Sequence, residues 1–135
     1  MNLTPAIAIH LGAALAATAI GPLALWARRG RTQRPRLHRA FGYAWVTLMV
    51  ITAISAVFIH GSKGPRWMGY SLIHLLIPTV LLALIGAFWY LARKDVAGHR
   101  RVMQITYLAG CLVAGGFTLL PDRLLGQWLR LQWLA

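Results

Sequence analysis

Five histidines, His10, His38, His60, His74 and His99, stand in a chain of 135 residues that holds only two acidic side chains. Histidine binds metals, accepts protons and titrates near neutrality. The acids are Asp95 and Asp122, so paired-carboxylate catalysis lacks its parts and no Ser-His-Asp set can be assembled. The single cysteine, Cys111, excludes an internal disulfide, and no Cys/His zinc spacing exists. Any chemistry here falls to histidine, acting as a ligand.

The spacing sorts the histidines into layers. His10 and His74 each lie five residues into an apolar segment. If both segments are helices entering from one side, the two imidazoles sit roughly 7 Å below that boundary. His38 and His99 each precede an arginine at the start of another apolar segment, which places them together at the opposite boundary. In an up-down bundle, the first and third helices are diagonal neighbours, and so are the second and fourth. Two diagonal His pairs at opposite ends of one bundle are the arrangement that one or two b-type haems use, each iron held by two neutral imidazoles. His10 and His74 are the outer candidate ligands, and His38 and His99 the inner ones. Arg39, Arg100 and Arg101 stand beside the inner pair, as does Arg36. They could hold haem propionates or a quinone headgroup through charge-assisted hydrogen bonds. His60 could join His10 and His74 in a three-His outer site suited to copper or zinc. Met49, Met68 and Met103 read as packing residues, and Cys111 as a small apolar filler.

The elements that must carry these residues are membrane helices. The chain is 59% hydrophobic and 12% charged, against the roughly 25% charged of a soluble domain. Apolar segments run from about Pro5 to Ala27, Ala40 to His60, Gly69 to Ala92 and Val102 to Leu120. Each is near the ~20 residues that span a bilayer as a helix. The expected fold is all-α: a single-domain integral membrane four-helix bundle of up-down topology. Pro78 should disturb the third helix near His74. After Pro121, Leu124, Leu125, Trp128, Leu129 and Trp133 alternate with Arg123, Gln127 and Arg130, a pattern for a short interfacial helix with Asp122 as N-cap.

Fourteen basic residues against two acids give a formal charge of +12. The basic residues lie between apolar runs rather than along a polar face, so they speak for membrane topology and anionic lipid, not nucleic acid. Six arginines fall between Arg28 and Arg39, and three arginines and a lysine between Arg93 and Arg101. These two loops belong in the cytoplasm, with both termini outside. Weak internal symmetry accompanies this. His10 and Ala27-Arg28-Arg29 recur as His74 and Ala92-Arg93-Lys94, and His38-Arg39 recurs as His99-Arg100. The chain could be a tandem repeat of two hairpins related by an axis along the membrane normal.

At His38-Arg39-Ala40-Phe41-Gly42 and His99-Arg100-Arg101-Val102-Met103, the chain resembles a bacterial family of small predicted membrane proteins of unknown function. That family carries H-R-x-x-G and H-R-R-x-M motifs at helix starts, and the resemblance implies the bacterial cytoplasmic membrane. More loosely, four helices with layered His pairs are similar in architecture to quinone-linked membrane cytochromes b. That similarity implies haem b and electron transfer, as a component of a membrane oxidoreductase. Two other readings stand beside it. One is a non-enzymatic subunit or assembly factor of a larger membrane redox complex or homo-oligomer. The other is a copper- or zinc-handling membrane protein.

Overall fold

The computed structural model describes residues 3–60 and 72–133, and its regular elements there are all helical. Helix α1 spans Pro5–Trp26. Thr4 caps it by accepting from the Ile7 N–H, and Pro5 occupies the first turn, where its missing N–H costs nothing. Helix α2 spans Pro35–Val57 and also opens on proline. A 3₁₀ turn, Leu72–Leu75, leads into α3, Leu76–Ala92. Helix α4, Val96–Tyr107, continues through a π-helical stretch, Leu108–Val113, and a last α turn, Ala114–Phe117. Helix α5, Leu124–Trp133, is the short terminal helix expected from its apolar and polar alternation.

Helices α1 and α2 are long and apolar enough to cross a bilayer, and α3 is a shorter apolar helix of 17 residues. The second and fourth helices start earlier than their apolar runs: at Pro35 rather than Ala40, and at Val96 rather than Val102. Proline at the first helical position starts one. Asp95, whose carboxylate accepts the Gly98 N–H at 2.8 Å, starts the other. His38 and His99 therefore sit inside first helical turns instead of ahead of them. His74 lies in the 3₁₀ turn, not five residues into an α-helix, and the change from 3₁₀ to α geometry falls two residues before Pro78. The expected third-segment start at Gly69 and the basic residues Lys63 and Arg66 lie outside the described residues.

The helices pack in ring order. α1 lies along α2, α2 touches α3, α3 lies along α4, and α1 closes against α4 and its π stretch. Small residues face inward: Ala13, Ala17, Gly21 and Ala24 form the buried stripe of α1. Large apolar residues such as Leu15, Ile54, Leu82, Ile85, Ile105 and Leu108 face outward. Close backbone approach inside and bulky apolar groups outside suit a lipid surround, where burying leucine against leucine gains nothing over burying it against acyl chains. The core is Ala17, Trp45, Met49, Leu84, Tyr107 and Cys111.

One core contact follows from a proline. Pro22 lies inside α1 and has no N–H, so the carbonyl four residues earlier, that of Thr18, loses its helical donor. The Tyr107 hydroxyl donates to that carbonyl at 3.0 Å from the facing helix. Gly21 makes room for it, because the Tyr107 ring lies where a Cβ would stand.

The turn between α3 and α4 is equally specific. The Lys94 N–H donates to the Leu91 carbonyl and the Asp95 N–H to the Tyr90 carbonyl, with Lys94 left-handed at φ 61°. This is the paired-bond helix stop that glycine usually completes. It brings Asp95 directly onto the N-cap of α4.

Candidate histidine site at the arginine end of the bundle

The first turns of α2 and α4 present His38 and His99 in matched settings. Both rings are half-buried. His38 donates from Nδ1 to the Ala24 carbonyl at 2.8 Å. That carbonyl is passed over at the end of α1, where the Ala27 N–H goes to Leu23 and the Arg28 N–H to Leu25. The imidazole thus caps the neighbouring helix. His99 donates from Nδ1 to the Ala87 carbonyl at 2.9 Å, and its ring meets the edge of Phe88 at 6.3 Å between centroids. Each histidine reaches back across its own hairpin, α2 to α1 and α4 to α3.

These partners decide the tautomer. A carbonyl only accepts, so Nδ1 carries the hydrogen, and in the neutral ring the lone pair is then on Nε2. An Nδ1–H held by a backbone carbonyl, with Nε2 as the basic nitrogen, is the usual support of a metal-bound histidine. One turn after His38, Gly42 has no atom within 4 Å of where a Cβ would be. Arg36, Arg39, Arg100 and Arg101 are exposed at the same end. Trp26 beneath Arg34, at 5.6 Å, and Trp89 beneath Arg93, at 4.3 Å, mark it as an interface rich in aromatic and cationic groups.

The other end is less symmetric. Half-buried His10 makes a 2.9 Å bond from Nδ1 to the Thr52 carbonyl and lies 3.3 Å from the Ser55 hydroxyl. His74, also half-buried, donates from Nε2 to the Ile59 carbonyl at 3.1 Å. His10 bonds a carbonyl inside α2, whereas His74 bonds one beyond its end, seven residues further along the chain. These two bonds use different ring nitrogens. His60 is exposed beyond the end of α2. Among the described residues, no three His, Cys, Asp or Glu side chains gather as a metal-binding group. An open apolar groove of about 360 Å³ beside His10 is lined by Ala6, Ile9, Ile51, Ile54, Ser55 and Phe58.

The chain matches one sequence family, described as predicted membrane protein (DUF2306), over residues 7–127. The chain belongs to this family. No curated protein and no solved structure matches it. DUF2306 membership makes this a predicted membrane protein of unknown function, and it covers α1 through α4 and the start of α5.

Sequence reasoning missed the centre of the DUF2306 bundle. Trp45, Met49, Tyr107 and Cys111 meet there from the diagonal helices α2 and α4. Their separation along the chain hides the contact. Only the two sulphur residues and the helical spacing of Tyr107 and Cys111 hinted at a shared face.

Proposed function

We propose that this protein is a haem-b electron carrier of the bacterial cytoplasmic membrane, with His38 and His99 as the two axial ligands. The observation that carries the reading is the matched tautomer. Both rings donate Nδ1–H to a carbonyl of the preceding helix, which leaves Nε2 as the basic nitrogen on each. The open space beside Gly42 and the four exposed arginines at that end support it. The first suits a flat macrocycle, and the second can pair with propionates. Bound there, the haem would supply one-electron chemistry. The chain's own part is to hold both imidazoles neutral and oriented, and to exclude water.

An apolar groove of about 450 Å³ runs between α2 and α3, lined by Val46, Val50, Leu81, Leu84, Ile85 and Phe88. Phe88, one of its lining residues, meets the edge of the His99 ring. A membrane quinone, flat and apolar, is the class of electron partner this groove suits. His10 and His74 lack the matched arrangement, so the reading assigns one haem to the inner layer.

The test is the visible spectrum of the protein purified in detergent, oxidised and dithionite-reduced, with haem quantified as its pyridine complex. One b-type haem per chain is expected. It should be lost in His38→Ala and in His99→Ala and retained in His10→Ala, with helical content unchanged in all three. A colourless protein from haem-supplied cells, or colour unaffected by both inner substitutions, would refute the assignment.

A further inference from the structure

We propose that Cys111 and Met49 form a site for a monovalent soft metal ion, copper(I), at the centre of the bundle. The two sulphurs come from diagonal helices, and the Cys111 S–H donates to the Met49 sulphur at 3.7 Å, a shared proton that the ion would replace. Both residues are buried, Cys111 at 7% exposure and Met49 at 4%. Thiolate and thioether sulphur select soft, low-charge ions over oxygen-loving ones. Taking metal–sulphur bonds of about 2.3 Å, two sulphurs 3.7 Å apart subtend roughly 107° at the ion. That angle is close to tetrahedral and leaves further positions for a third donor.

Charge bookkeeping favours the monovalent ion. When copper(I) arrives, the Cys111 S–H bond breaks, a sulphur–copper bond forms, copper stays at +1 and the proton leaves to water. The site exchanges one unit of positive charge for another and ends as a neutral thiolate–copper pair. A divalent ion held by the same two sulphurs would leave a net charge in an apolar interior, which is costly.

A second, independent feature points to the same place. Trp45 is 3% exposed, and its indole Nε1–H has no hydrogen-bond acceptor. The Trp45 and Thr18 side chains face the Cys111 thiol. A neutral thiol is a weak acceptor, whereas a metal-bound thiolate is a good one, so the loose approach of the indole to the sulphur tightens into a hydrogen bond when the ion binds. Cys111 also lies on the π-helical stretch Leu108–Val113. Such insertions in α-helices recur at functional sites, where the extra residue re-aims side chains. None of the histidines takes part, so this inference stands apart from the haem reading.

The experiment is an anaerobic titration of the detergent-purified full chain with copper(I) against the coloured chelator bicinchoninate. The intact chain is expected to withdraw one copper(I) per molecule. Cys111→Ser should abolish uptake. Met49→Leu, a volume-conserving change that protects the fold, should weaken it at least tenfold. His38→Ala and His10→Ala should bind copper as the parent does. Excess zinc(II) should not displace the ion, and the copper X-ray absorption edge should show sulphur neighbours. No uptake by the intact chain, unchanged uptake in both sulphur variants, loss of uptake in His10→Ala, or displacement by zinc would each overturn the proposal.

Discussion

Replacing Gly21 by alanine tests whether α1 and α4 are locked by the contact that Pro22 makes necessary. The added methyl would meet the Tyr107 ring inside contact distance and come within 3.1 Å of Trp45 Nε1. Trp45 is a buried core residue with little freedom to retreat, so Tyr107 must yield. Forcing a methyl into a packed core costs about 1–3 kcal/mol. Moving the ring also breaks the bond from the Tyr107 hydroxyl to the Thr18 carbonyl, and interhelical bonds in membranes average about 0.6 kcal/mol. Against this, alanine is about 0.5–1 kcal/mol better than glycine within a helix. The net expectation is a loss of roughly 1–3 kcal/mol, from the same terms. Reversible unfolding from mild detergent into dodecyl sulphate, followed by tryptophan fluorescence, measures it. Gly12→Ala on the same helix is the control, since its Cβ would meet nothing within 4 Å. That variant should be neutral or slightly stabilised. Tyr107→Phe keeps the ring and removes only the hydroxyl, so its loss should be the smaller, hydrogen-bond part. A Gly21→Ala protein as stable as Gly12→Ala would refute the packing argument.

Two further outcomes are expected. Lys94→Gly should stabilise the α3–α4 turn by about 1 kcal/mol in the same unfolding assay, because Lys94 is held left-handed at φ 61°; a destabilised variant would show that the lysine side chain matters more than its backbone. With ten of 14 basic residues in the α1–α2 and α3–α4 connections or the first two turns of the helices that follow them, a C-terminal phosphatase fusion should be active outside the cytoplasm and a fluorescent-protein fusion dark there, and the reverse pattern would invert the orientation.

Much of the architecture was legible in the chain. Apolar runs of bilayer length announced membrane helices, and α1 ends within one residue of its apolar run because Thr4, Pro5 and the Arg28-Arg29 pair bracket it. The starts of α2 and α4 were misplaced because hydropathy marks where lipid begins, not where hydrogen-bonded backbone begins. Pro35 and Asp95 start those helices in polar sequence, and the first turns carry His38 and His99 with them. Hydropathy makes His74 an α-helical residue, but it lies in a 3₁₀ turn that hydropathy does not distinguish. The spacing of histidines singles out four of them, as an outer and an inner pair. Their carbonyl partners separate them, and those partners belong to other helices.

The sequence alone determined the medium, the helical class and the family, because hydropathy, charge placement and short motifs are sums over local residues. Tertiary structure decided what those residues can do. Which nitrogen of His38 and His99 carries the hydrogen depends on carbonyls 14 and 12 residues away. The Met49–Cys111 contact joins residues 62 positions apart, and the Tyr107–Thr18 bond joins residues 89 apart. Such pairings arise only when helices pack, since a side chain's chemistry is set by the donors, acceptors and apolar walls that packing brings within a few ångströms of it.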